Sequence, residues 1–329
     1  MSEEVLRIRN LRVVYSSRRG YVNALRKVDL EVKGNEVLGI VGESGSGKTT
    51  LALTIIRQLP SNSKILSGSI LFNEGGELVD LLRVDYQEFR RFLWSRISYV
   101  PQGAMNSFNP VSKIKEHFIE TAKAHYPNMG KQEILSRAEE LLKVMLLDPK
   151  RVLESYPHQL SGGMRQRTLI SLALLLNPKV VIMDEPTSSL DVVSQKVILQ
   201  DLRRVLREFD VAVAVITHDM GVVAEVADRV AVMYAGNVVE VGHVEDVFYN
   251  PLHPYTQGLM AAVPKLRDRE GKLISIPGSP PDLVNPPRGC SFHPRCPIAA
   301  EICRTTEPQP TELSRGRSVS CFKWNRGGT

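Results

Sequence analysis

The sequence predicts an α/β fold: a parallel sheet covered by helices, an antiparallel β-subdomain before it, a helical subdomain within it and a small cysteine-bearing part at the end. Three observations carry that expectation. The apolar runs Val37–Val41, Val180–Met183 and Val211–Ile216 lack alternation, as strands buried on both faces should. Helical patterns separate these runs. Composition changes abruptly near Asn250, because residues 251–329 hold twelve of the twenty prolines, all four cysteines, and eleven Lys/Arg against six Asp/Glu. The expected division is one domain over residues 1–250 and an extension over 251–329.

Along the chain, Val28, Leu30 and Val32 alternate with Lys27, Asp29, Glu31 and Lys33, which describes a strand with one face in water. Val37–Val41 runs directly into Gly42-Glu43-Ser44-Gly45-Ser46-Gly47-Lys48-Thr49, after which Thr50–Leu59 reads as a helix. Residues 85–176 read as mainly helical, most clearly over Lys131–Leu147 and from Ser161 to Leu176, so the helical subdomain is expected at about 95–170. Ser194–Phe209 is amphipathic, with Leu199, Leu202, Leu206 and Phe209 spaced 3, 4 and 3.

Composition excludes several classes. At 43% hydrophobic and 24% charged, the chain can bury a full core, which rules out wholesale disorder. No apolar run approaches the roughly 18–20 residues that cross a bilayer. The acidic start, Met1-Ser2-Glu3-Glu4, carries no apolar export stretch, so a cytoplasmic location is expected. The net charge of +6 is modest and comes mostly from the tail, which suits a solvated face better than a nucleic-acid footprint.

The pattern G-x-x-x-x-G-K-[ST] at Gly42–Thr49, between a buried strand and a helix, is a phosphate loop. Gly42, Ser44, Gly45, Ser46 and Gly47 let successive N–H groups face phosphate oxygens, and the helix from Lys48, Thr49 and Thr50 adds its positive end. Lys48 is expected on the β- and γ-phosphates, and the Thr49 hydroxyl on Mg²⁺. At the end of Val180–Met183 stands Asp184-Glu185: Asp184 suits the metal, and Glu185 suits polarisation of an attacking water. The competing reading of that acidic pair is a solvated turn.

Leu160-Ser161-Gly162-Gly163-Met164-Arg165-Gln166-Arg167 resembles the signature motif of ABC-type ATPases. Val100-Pro101-Gln102 is similar to their Q-loop, Ser188-Ser189-Leu190-Asp191 to their D-loop, and Thr217-His218-Asp219 to their switch histidine. The elements come in the family's order, so the resemblance covers about residues 5–250 and implies a P-loop NTPase fold. It implies that Glu185, His218 and Gln102 are catalytic, that Gln102 joins Thr49 and Asp184 at Mg²⁺, and that Tyr15 stacks on the base, with Tyr21 as the alternative. It also implies that Ser161, Gly162 and Gly163 form a second anion site for the ATP of an opposing subunit, in a head-to-tail dimer.

Asn250–Thr256 and Ile276–Pro281 resemble the C-terminal extension of the oligopeptide/dipeptide importers. The resemblance implies a motor subunit at the cytoplasmic face of the membrane. Its partners would be two membrane permeases, a second related ATPase or a second copy, and an extracytoplasmic substrate-binding protein, with no nucleic acid. The other readings are a soluble ABC ATPase acting on nucleic acid or ribosomes, or an importer of oligosaccharide or nickel. Cys290, Cys296, Cys303 and Cys321 are separated by five, six and seventeen residues. Disulfides are disfavoured in a cytoplasmic ATPase, and structural zinc prefers tighter Cys pairs. An iron–sulfur cluster accepts wider spacing, and similar tails carry a 4Fe-4S cluster, whose expected role here is structural. His293 lies in the same stretch, but four cysteines suffice without it.

Overall fold

The computed structural model describes residues 3–103, 107–188, 195, 198, 208–262, 276–313 and 316–324. Ser189, Leu190 and Asp191 of the D-loop-like segment, and most of Ser194–Phe209, lie outside the described residues.

An N-terminal antiparallel sheet forms from β1 (Glu4–Ser17), β2 (Gly20–Lys33), β4 (Ser63–Glu74) and β5 (Glu77–Asp80), in the order β2-β1-β4-β5. The predicted alternation in β2 holds, with Val28, Leu30 and Val32 all buried. The second sheet has eight strands, ordered β11-β12-β10-β9-β3-β8-β7-β6. Its parallel part comprises β6 (Ile97–Val100), β7 (Val180–Asp184), β8 (Ala212–Thr217), β3 (Val37–Val41) and β9 (Arg229–Tyr234). Every residue of β3, β7, β8 and β9 is buried, which is why β3, β7 up to Met183 and β8 read as apolar runs without alternation. The antiparallel strands β10 (Asn237–His243), β12 (Arg317–Val319) and β11 (Thr311–Leu313) extend one edge, so the C-terminal chain joins the main sheet.

The helices depart from the sequence reading in understandable ways. Helix α1 is Lys48–Ile55, shorter than expected, because Arg57 turns left-handed at φ 51°. The Gln58 N–H then returns to the Leu53 carbonyl at 2.8 Å and closes the end. The segment expected to be mainly helical contains α2 (Tyr86–Phe92) but also β6, a four-residue strand too short to show a period. Helix α3 is Ile114–His125, and α4 is Lys131–Val144, closed by a left-handed Leu146 at φ 52°. Helix α5 is Pro149–Glu154, and α6 is Gly162–Leu174. No helix among the described residues is long and apolar enough to cross a membrane.

Gly47 joins loop to helix at φ 105°, and a Cβ there would lie 2.6 Å from the Ala24 carbonyl of β2. Gly45 is also left-handed, at φ 79°, but a Cβ would meet nothing within 4 Å. We predict that Gly47→Ala costs about 1–3 kcal/mol in chemical unfolding and distorts nucleotide binding. Gly45→Ala should cost only its backbone strain. Equal losses in the two variants would contradict this packing.

Candidate functional site

The parallel strands end together, so one edge of the sheet gathers the loops that leave β3, β6, β7 and β8. Val41 of β3 pairs with Thr217 of β8, Asp184 of β7 with Ile216 of β8, and Val100 of β6 with Met183 of β7. The phosphate loop, Gln102, Asp184-Glu185 and His218 therefore share the carboxyl edge, the usual ligand crevice of such sheets.

Lys48 is 7% exposed, and its Nζ donates to the carbonyls of Gly42 (2.7 Å) and Glu43 (3.1 Å). Burial holds its pKa below the usual lysine value, opposed by the nearby carboxylates of Glu185, Asp184 and Glu43. Ser44, Gly45 and Thr49 form the exposed rim, whereas Ser46 is buried. The Tyr15 hydroxyl donates to Thr50 Oγ1 at 3.2 Å, which fixes this half-buried ring beside the start of α1. Tyr21, the alternative, is 61% exposed.

Asp184 is 1% exposed, and its Oδ1 is buried with no hydrogen-bond partner. Its Oδ2 accepts from the Tyr99 hydroxyl at 3.4 Å. Burial raises the Asp184 pKa, the Glu185 charge adds to that, and hydrogen bonds from Thr49 and Tyr99 oppose it. An orphaned carboxylate oxygen beside a threonine hydroxyl fits a hard divalent cation.

Glu185 adopts φ 49°, and its N–H donates to the Ile216 carbonyl at 2.8 Å. Its Oε1 lies 2.7 Å from His218 Nδ1 and accepts the His218 N–H at 3.2 Å. Its Oε2 accepts from Thr217 Oγ1 at 3.3 Å. This carboxylate is clamped to the end of β8. Gln102 is exposed, two residues past β6. Ser161 caps α6, its Oγ accepting the Met164 N–H at 3.3 Å, and Gly162 and Gly163 form the first helical turn.

The C-terminal chain reaches the same loop. Arg295 donates to both oxygens of Glu43, at 2.7 and 3.0 Å, and the Tyr255 hydroxyl accepts the Glu43 N–H at 2.8 Å. All four cysteines line one cavity of about 350 Å³, together with His253 and His293. Burial pushes the Cys290 thiol up to about 11 and raises Cys296 and Cys321 as well. Among the described residues, no group of three or more His, Cys, Asp or Glu is drawn close enough to hold a single metal ion.

A family model described as "ABC transporter" matches residues 25–188, and one described as "Oligopeptide/dipeptide transporter, C-terminal region" matches residues 239–303. The dipeptide transport ATP-binding protein DppD of Caldanaerobacter subterraneus subsp. tengcongensis is 44% identical, covering 98% of each chain. The chain belongs to the ABC transporter family. The oligopeptide transport ATP-binding protein OppD of Escherichia coli is 42% identical over 98% of this chain and 94% of its own length. Among solved structures, a dimeric bacterial ABC transporter cassette superposes with a TM-score of 0.63 at 28% identity, covering 73% of this chain and 98% of its own. The cbiO1 protein of Clostridium perfringens, part of an ABC transporter complex, gives 0.62 at 27% identity, covering 75% and 92%.

This ABC subunit is an ATPase that uses ATP and Mg²⁺. Sequence reasoning missed three groups at its site. Tyr99 was hidden in an unrecognised strand. Arg295 and Tyr255 are single polar residues far along the chain, and no local pattern marks them as partners of Glu43.

Asp184 supplies a direct test. Burial raises its pKa, so the ionised form is penalised in the fold. We predict that Asp184→Asn raises the thermal midpoint of the nucleotide-free protein while abolishing the extra stabilisation by Mg-ATP. Thermal melts with and without Mg-ATP check both effects. A lower nucleotide-free midpoint, or undiminished Mg-ATP stabilisation, would contradict the assignment.

Proposed function

We propose that this chain is one motor subunit of an importer for di- or oligopeptides, and that ATP hydrolysis proceeds on Glu185. The supporting observation is the Glu185 carboxylate, fixed by His218 and Thr217 beside Asp184 and Lys48. Glu185 accepts a hydrogen bond from the water that faces the γ-phosphorus and orients it for in-line attack. Lys48 and the loop N–H groups hold the β- and γ-phosphates, and His218 and Gln102 border the γ-phosphate. Thr49, Asp184 and Gln102 would hold Mg²⁺, which neutralises phosphate charge when bound. Tyr15, held by Thr50, offers its ring to the base.

The capped start of α6 at Ser161, Gly162 and Gly163 supplies the opposing half of a partner's site. That arrangement requires a second ATPase, related or identical. The peptide reading rests on similarity over nearly the whole length to DppD and OppD and on the matched C-terminal region. It brings two permeases, an extracytoplasmic binding protein and a place at the cytoplasmic face of the membrane. We divide the chain at residue 250, with the helical subdomain, expected at about 95–170, starting only after β6 (Ile97–Val100), which belongs to the main sheet.

Cys290, Cys296, Cys303 and Cys321 would hold a 4Fe-4S cluster. A single zinc would draw four sulfurs to about 2.3 Å from one centre. All four thiols line one cavity, and four thiolates are the ligand set of such clusters. When bound, the cluster cross-links a proline-rich segment that lacks a core of its own.

We predict that Glu185→Gln lowers turnover by about 100-fold or more while ATP affinity stays near wild type. Lys48→Ala should instead lose affinity. Steady-state hydrolysis with nucleotide titrations checks this, and near-normal turnover in Glu185→Gln would overturn the role of Glu185. Anaerobically purified protein should contain iron and acid-labile sulfide in equal amounts, and stoichiometric zinc without iron would overturn the cluster.

A further inference from the structure

Arg295 is 5% exposed, and all five of its N–H donors are used. Two go to the Glu43 carboxylate, two to the carbonyls of Pro277 (2.9 Å) and Ile276 (3.3 Å), and one to the Tyr234 hydroxyl (3.3 Å). Its backbone belongs to a tight turn between two cysteines. The His293 N–H returns to the Cys290 carbonyl, the Arg295 N–H to Phe292, and the Cys296 N–H to His293. The Cys290 N–H in turn binds the Cys303 carbonyl at 2.9 Å. At the other end, Glu43 is the second residue of the phosphate loop, and its carbonyl accepts from Lys48 Nζ.

We propose that Arg295 is a positioning residue for ATP, through which the cysteine-bearing turn sets the shape and charge of the phosphate loop. Glu43 places a carboxylate inside a site that must hold a polyanion. Arg295 neutralises that carboxylate and points it away from the phosphates. Tyr255 fixes the same residue through its N–H, and Tyr234, Tyr255 and Phe292 pack together beneath, with ring centroids 4.5–5.4 Å apart. Loosening the cysteine turn withdraws the guanidinium and leaves Glu43 unpaired against the incoming phosphates. The inference rests on the ATP site and holds whatever group the thiols bind.

The test is equilibrium binding of a fluorescent ATP analogue with Mg²⁺ to the full chain. Arg295→Met should weaken binding about tenfold. That loss should shrink between about 0.05 M and 0.5 M salt, because it is a screened repulsion. Removing the stranded charge in Arg295→Met/Glu43→Gln should restore affinity to within about threefold of wild type. A merely structural role gives neither the salt dependence nor the rescue. Wild-type affinity in Arg295→Met, or a double variant as weak as the single, would overturn the proposal. Should Arg295→Met fail to fold, Arg295→Lys keeps a cation without the fork and should show a smaller loss, and undiminished affinity there overturns the proposal. Cys296→Ser should weaken binding in the wild-type background and add nothing in Arg295→Met. Additive losses would overturn the route through Arg295, independently of whether iron is found.

Discussion

The structure depends on one backbone constraint: the chain must turn from β3 into α1 while keeping its N–H groups free to face phosphate. A loop most of whose donors are reserved for a ligand can stabilise itself with few of them, here the Ser46 N–H returned to the Glu43 carbonyl at 3.2 Å. The rest of its support comes from outside. The Gly236 N–H of the β9–β10 turn binds the Ser46 carbonyl at 3.0 Å, and the Ala24 carbonyl of β2 presses against Gly47. Tyr255 takes the Glu43 N–H, and Arg295 takes the Glu43 carboxylate. Both sheets and the C-terminal extension thus converge on six residues of loop.

That convergence explains the electrostatics. Lys48 and Asp184 are buried at one sheet edge, and burial pushes Lys48 down and Asp184 up. Both groups are strained towards neutrality until a polyanion and a cation arrive together. Preorganised charge of this kind strengthens the site for the nucleotide at the expense of the empty fold.

Much of this was legible in the sequence, for physical reasons. The strands β3, β7 and β8 are buried on both faces, so they read as apolar runs of strand length, rich in Val and Ile. The loop after β3 and the acidic pair after β7 are contiguous, and contiguous chemistry survives as a motif. Boundaries were less legible: α1 and α4 end at left-handed Arg57 and Leu146, where glycine would have been the visible signal. Strand β6 escaped because four residues carry no period. The placement of the cysteine segment was not legible at all. It was expected as an extension with a structural role, whereas β11 and β12 bring it back onto the main sheet and Arg295 onto Glu43. Pairings across some 250 residues are set by topology rather than by any local pattern.

The central claim is that the phosphate loop is held in its binding shape before nucleotide arrives, and amide hydrogen exchange of the full chain tests this most directly. Without nucleotide, the Glu43 and Ser46 amides, which donate to Tyr255 and to the Glu43 carbonyl, should exchange slowly. The amides of Gly45, Gly47 and Lys48 should become protected only when Mg-ATP is added. Glu43 exchanging at the rate of unfolded chain until ATP binds would contradict the account.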